Sequence, residues 1–226
     1  MRIDGVEFRL RKRLSHRWST DTSFLLSRTY GNYSGLASSD ENGRTSPNVD
    51  RNFDGLYMSF DQTGKPLYGK LPTDRPFTFK STTTYDLPWG TNLGAFFFAG
   101  SGQPLSSQVT IVGVPVYYLG RGNLGRTPTY SQTDLQVQHG FRLPGHTRVD
   151  VAANIINLFD QDTFTNIQNT PYRDAIPINS QTGFFNGFDA DAIAAATPSI
   201  RKDPRYRQAS AFQGARSMRF NVRFTF

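Results

Sequence analysis

Side chains alternate between a more apolar and a more polar set in six separate segments of this chain, a seventh reads as a strand without clear facing, and the connections between the seven are alternately short and long. A two-residue period marks a strand, because successive side chains point to opposite faces. In the last segment Met218, Phe220, Val222, Phe224 and Phe226 share one face, while Arg219, Asn221, Arg223 and Thr225 share the other. Before it, Leu135, Val137, His139 and Phe141 oppose Asp134, Gln136, Gln138 and Arg142, with His139 the polar exception on its face. Val149, Val151, Ala153 and Ile155 oppose Arg148, Asp150, Ala152 and Asn154 in the same manner. Upstream, Phe77, Phe79, Tyr85 and Leu87 share a face with Ser81 and Thr83, opposite Thr78, Lys80, Thr82, Thr84 and Asp86. Val6, Phe8 and Leu10 alternate with Glu7, Arg9, Arg11 and Arg13, and Trp18, Thr20, Thr22, Phe24 and Leu26 with Ser19, Asp21, Ser23 and Ser27. Residues 91–100 read as a strand without a clear facing, since Leu93, Ala95, Phe97 and Ala99 compete with Phe96 and Phe98.

The connections narrow the architecture further. Ser15-His16-Arg17, Pro88-Trp89-Gly90 and Pro144-Gly145-His146-Thr147 are tight turns, whereas residues 31–75, 101–129 and 161–214 are long loops. An antiparallel sheet with tight turns at one end and large loops at the other is the layout of an outer-membrane β-barrel, with short periplasmic turns and long extracellular loops. The segments are about ten residues long, enough for a tilted strand to cross a bilayer. The fold expected is therefore all-β: an antiparallel transmembrane β-barrel segment of about seven strands. Seven are too few to close a bacterial barrel, where even counts from about eight upward are usual. The long loops are rich in turn residues, as in Ser38-Ser39-Asp40-Glu41-Asn42-Gly43, and belong in water. Inside the last one, residues 189–196 read as a short helix with Asp189 as its N-cap, ended before Pro198.

Composition agrees and removes several function classes. A mean hydropathy of -0.50 and the lack of a long apolar run exclude a transmembrane helix but leave a barrel open, because alternating strands average out as polar. The net charge of +7 rests on 25 basic residues, mostly Arg, so nucleic acid has to be considered. The basic residues are scattered, with no zinc spacing and no recognition helix, and no nucleic-acid partner is assigned. With no cysteine, disulfides, thiolate catalysis and Cys-based metal sites are excluded. The start of the chain, Met1-Arg2-Ile3-Asp4-Gly5, carries no apolar signal core.

Motifs for chemistry are weak. Gly120-Arg121-Gly122-Asn123-Leu124-Gly125 has the glycine spacing of a dinucleotide loop, but Pro128 and its β-branched neighbours deny it the following helix that would hold a phosphate. It reads as a loop. His16, His139 and His146 have no zinc spacing, no nucleophile elbow occurs, and carboxylates such as Asp160 and Asp162 fall in loops. No catalytic, cofactor-binding or metal residue is assigned, and the chain is read as a non-enzyme. Arg219, Arg223, Asp134 and Gln136, together with Arg9, Arg11 and Arg13, are candidate lumen-facing residues, for which a solvated polar wall is the simpler role. Trp18 and Trp89 are candidates for an interfacial aromatic girdle.

The ending, from Asp203-Pro204-Arg205-Tyr206 through Ala211-Phe212-Gln213-Gly214 to Phe226, resembles the C-terminus of TonB-dependent outer-membrane receptors. In particular it resembles the Oar-like group, whose N-terminal part bears a carboxypeptidase-regulatory-like domain. Asn32-Tyr33-Ser34-Gly35-Leu36 through Asn48, Arg126-Thr127-Pro128 with Asp134-Leu135, and Asn154-Ile155-Ile156-Asn157-Leu158-Phe159-Asp160 resemble it too. The resemblance implies that residues 1–226 are the C-terminal part of such a barrel, in the outer membrane of a Gram-negative cell. It implies that Phe226, with Phe224, is the signal read by the outer-membrane assembly machinery. Partners implied are outer-membrane lipid, an unidentified solute bound by the long loops, and the TonB complex acting through N-terminal regions outside these residues. Two alternatives come from other classes: a soluble or surface β-sheet module binding carbohydrate or protein, and a secreted hydrolase dependent on loop carboxylates.

Overall fold

The computed structural model describes residues 1–32, 56–145 and 147–226. The loop at 38–43, residues 33–48 of the family resemblance and His146 lie outside the described residues. Within them are twelve strands and three short helices: β1 Arg2–Ser15, β2 Trp18–Gly31, α1 Leu56–Ser59, β3 Gly69–Lys70, β4 Phe77–Asp86, β5 Thr91–Gly100, β6 Val109–Ile111, β7 Val114–Val116, β8 Tyr130–Arg142, β9 Arg148–Ile156, β10 Phe164–Ile167, α2 Gln181–Phe185, α3 Ala190–Ala196, β11 Ala209–Phe212 and β12 Ser217–Thr225. The fold is all-β. Seven long strands form one sheet in the order β1-β2-β4-β5-β8-β9-β12, with β3 extending the end of β2, and every pairing between them is antiparallel. These are the seven segments expected from the alternation.

Each tight turn has a local cause. His16 and Arg17 both adopt positive φ, 51° and 70°, the handedness that matches the twist of a two-residue hairpin. At the next turn Leu87 N–H donates to Thr91 O and Gly90 N–H to Leu87 O, with Gly90 at φ 85°. At the third, Leu143 N–H donates to Thr147 O and Gly145 takes φ 79°.

Register then decides which side chains stand together, since directly opposed residues share a face. Val6, Phe8 and Leu10 face Leu26, Phe24 and Thr22, and Leu26 and Phe24 face Phe77 and Phe79. The row continues through Phe79–Ala99 and Ser81–Phe97, Ala95–Leu135 and Leu93–Val137, Leu135–Ile155 and His139–Val151, to Ile155–Met218, Ala153–Phe220 and Val151–Val222. One largely apolar face runs across the sheet, with Thr20, Thr22, Ser81, Thr83 and His139 as polar members. The facing of β5 is settled by these partners: Leu93, Ala95, Phe97 and Ala99 join the apolar face, and Phe96 and Phe98 stand opposite Asp134 and Gln132 on the polar one.

Among the described residues the sheet does not close on itself. β1 and β12 each have one paired edge, which leaves seven strands as an open sheet. Almost no hydrophobic side chain on the seven long strands is buried: the buried hydrophobic set runs from Met58 to Ile200 and falls entirely between them. Among the described residues, no helix is long and apolar enough to cross a membrane.

Candidate functional site

The long connections, expected to be solvated loops with one short helix, fold into a cap with its own core. The β6–β7 hairpin turns through Val112 and Gly113, both at positive φ, and places Val109, Ile111 and Val116 inward. Around them gather Tyr172, Ile176, Ile178, Phe184, Ala190, Ala194 and Ile200 from the third loop, with Tyr57 of the first packed against them. Phe184 is the hub, with ring centroids 4.7 Å from Tyr57, 5.0 Å from Phe185 and 5.6 Å from Phe188. α3 begins where expected, Asp189 accepting from the N–H groups of Asp191 and Ala192. Gln62 accepts from Phe188 N–H at 2.8 Å and ties the first loop to the third.

Charged and polar groups pin this cap to the sheet. Asp74, buried, accepts from Thr29 N–H of β2 and pairs with Arg126, whose guanidinium also donates to Asp74 O and Gly102 O. Asp203, buried, is held at about 2 chiefly by hydrogen bonds from the Arg205 guanidinium and the Arg205 backbone N–H. The Arg201 guanidinium likewise holds Asp174 at about 2. Tyr172 donates to Asp191, and burial followed by that carboxylate pushes the phenol well above its usual range. Burial pushes the neighbouring Tyr118 up to about 12.

The third loop leaves β9 through Asn157, buried and at φ 54°, a conformation Asn tolerates better than most residues. Its Nδ2 donates to Gln161 O and Gly214 O, both at 2.8 Å, and its Oδ1 accepts from Gln161 N–H. Asp160 accepts from Arg216 N–H at 2.7 Å. The Asn157-Leu158-Phe159-Asp160 stretch is thus a clasp that closes both ends of the third loop at the rim of β9 and β12.

The candidate lumen residues divide. Asp134, Gln136 and Arg219 line one shallow cavity of about 390 Å³ on the polar face, with Asn154 between them. Asp134 also accepts from Gln132 Nε2 and from Asn157 N–H, both at 2.9 Å, so its carboxylate anchors the clasp. Arg223 stands apart, opposite Asp150. On the same face of β1 and β2, Arg9 and Arg11 both donate to Asp21. His139 is hydrogen-bonded through Nδ1 to Thr91 Oγ1 at 2.7 Å. The glycine-spaced segment 120–125 is a loop, with Gly120, Gly122 and Gly125 all at positive φ. Phe226 is 97% exposed at the end of the edge strand.

A cavity of about 480 Å³ lies under the cap. All three long loops build it: Pro72 from the first, residues from Gln103 to Tyr117 from the second, and Asn166–Thr170 with Ser210 from the third. Its residues carry no motif and share no spacing, so only the sheet, by bringing the loop ends together, makes a site of them.

Compared with known proteins, the chain is 25% identical over 241 aligned residues to the TonB-dependent transporter Oar of Myxococcus xanthus. This chain is similar to a TonB-dependent transporter. The alignment takes in 99% of the chain and 22% of the transporter's length. No protein-family profile matches the chain, and no solved structure does. Because the likeness to the transporter runs through nearly the whole chain, sheet and cap both fall within it.

Proposed function

We propose that residues 1–226 form the C-terminal part of the barrel of a TonB-dependent outer-membrane receptor that binds a solute at its long loops and imports it. The observation that carries this reading is the direction of burial. Seven strands carry one largely apolar face with Val6, Phe8, Leu10, Phe220 and Val222 exposed, while the loops keep the buried core. Such a face suits hydrocarbon and is costly in water. On it, Thr20 and Thr83 share a hydrogen bond at 2.9 Å, and so do Thr22 and Ser81, as hydroxyls in a bilayer require. Trp18 and Tyr85 are register partners at the short-turn end of the belt, with Lys12 Nζ 3.9 Å from the Trp18 ring centroid, a girdle position between lipid and water.

In this reading the free edges of β1 and β12 pair with strands from the rest of the receptor, since an unpaired edge in lipid leaves its N–H and C=O groups unsatisfied. The arginines and Asp21 line the lumen. The role is transport, coupled to the TonB complex through regions beyond these residues, and no catalysis is assigned. The likeness to a TonB-dependent transporter supports the outer membrane as its place.

The test is expression of the complete reading frame in a Gram-negative host, followed by outer-membrane fractionation. Deleting Phe226 is expected to lower the amount inserted, and unchanged surface levels would count against the assembly role. Recovery of the undeleted protein in the soluble fraction without detergent would favour a soluble β-sheet module instead.

A further inference from the structure

We propose that the cavity under the cap binds an uncharged, hydroxyl-rich ligand of oligosaccharide chemistry; this deepens the receptor reading and rests on it for the ligand's route. Five carboxamides, Gln103, Gln108, Asn166, Gln168 and Asn169, line the cavity, and among the described residues none that lines it is Lys, Arg, Asp or Glu. In a chain of net charge +7 that neutrality is selective. A charged ligand entering here would lose water and meet no counter-charge among the described lining residues. A carboxamide carries both donors and an acceptor, as a hydroxyl does, so the two chemistries match group for group.

The amides are set before any ligand arrives. Gln103 Nε2 donates to Thr165 O at 3.0 Å, Gln168 Nε2 to Asp203 Oδ2 at 3.1 Å and Asn169 Nδ2 to Gln108 Oε1 at 3.2 Å. Asn166 Oδ1 accepts from Ile167 N–H at 2.9 Å, which leaves Nδ2 as its donor. Fixing these planes in advance lowers the ordering cost of binding. Pro104, Leu105 and Ile167 add apolar surface suited to the C–H faces of a sugar ring. The volume, about 480 Å³, lies within the range of small-ligand sites, about 300–1,000 Å³.

A peptide is the less suited occupant. Adding a strand to β10 would use its backbone groups, yet Thr165 O is already bound by Gln103, Ile167 N–H by Asn166 and Gln168 N–H by Gln208 O.

The experiment is titration calorimetry on the complete receptor in detergent micelles. The probes are maltotetraose, cellotetraose, xylotetraose and chitotetraose, beside an uncharged tetrapeptide and an anionic and a cationic small ligand. At least one tetrasaccharide is expected to bind saturably, equally at low and high salt. Asn166→Asp and Ser210→Asp should each weaken it by about tenfold or more. Both substitutions are compatible with folding: an aspartate at 166 still accepts from Ile167 N–H, and Ser210 is exposed. Binding of only the peptide or a charged ligand, of no sugar at all, or of a sugar indifferent to both variants overturns the proposal. Fractionating the same cells separates the two readings. An outer-membrane protein that binds no sugar overturns the ligand class alone, whereas a soluble protein that binds sugar at this cavity overturns the receptor reading alone.

Discussion

Phe220 and Phe184 are the same residue type in one chain, yet Phe220 on β12 is 75% exposed and Phe184 in the cap is 1% exposed. The first belongs to an array in which every second side chain is apolar and faces outward, next to Ala153 and in line with Val151 and Val222. The second belongs to a cluster drawn from three loops that are far apart in sequence. In the proposed receptor reading the two regions meet different solvents. A strand whose apolar side meets lipid needs no partner layer, so its sheet has no hydrophobic interior of its own. A loop that stands in water has to bury its apolar groups against other loops, as any soluble domain does.

The largest effect that would sharpen this contrast is expected at the hub of the cap. Phe184→Ala should cost about 3–5 kcal/mol, confined to the cap: limited proteolysis would cut the loops faster while the amount of protein in the membrane stays the same. Loss of insertion with the same substitution would break the separation of the two regions.

Next comes a pair of neighbours on β8. Leu135 lies on the apolar face, with Ala95 and Ile155 as partners, and Gln136 lies on the polar face beside Arg219's cavity. Leu135→Arg is expected to destabilise the membrane-inserted form by about 2–4 kcal/mol, as for a cation near the bilayer midplane, and Gln136→Arg by about 0–1 kcal/mol. Equilibrium unfolding of the complete protein in lipid vesicles measures both. Equal effects would mean that both faces meet water.

A smaller loss is expected at the clasp, where Asn157 bonds Gln161 and Gly214. Asn157→Ala should cost about 1–3 kcal/mol, since it strands buried backbone acceptors, and hydrogen exchange at the two ends of the third loop would report it. The mildest perturbation is acid. Asp203 sits at about 2 against an ordinary value of 3.8, so its ion pair contributes above the ordinary value and is lost as pH falls from about 3.8 through about 2. The cap should loosen in that window, seen as tyrosine and phenylalanine near-ultraviolet signals fading, while the strand signal in the far ultraviolet persists. Simultaneous loss of both signals would tie the cap to the sheet more closely than their separate cores imply.

Much of the sheet could be read directly. The alternation in 130–143 and 218–226 is local, and its consequence, one polar and one apolar face, needs no tertiary information. Residues 91–100 resisted because Phe96, Phe97 and Phe98 stand in a row and give no period; only pairing with Asp134 and Leu135 assigns them. The clasp was visible as an Asn-Leu-Phe-Asp stretch of family likeness, but its role was not, since its partners Gly214 and Arg216 lie more than fifty residues away. The cap went unread for the same reason. Val109, Phe184 and Ile200 carry no common spacing, and nothing local in the short helix at 190–196 shows that its Ala190 and Ala194 are buried in a core.

The sequence by itself determined the strands, their apolar and polar faces, the tight turns and the end of the sheet that carries the long loops, because all of these depend on residues within a few positions of each other. Tertiary structure alone decided the register that joins seven apolar faces into one, the loop core around Phe184 and the amide-lined cavity beneath it. Those depend on contacts between residues separated by tens of positions, and a linear pattern holds no record of which distant side chains will meet.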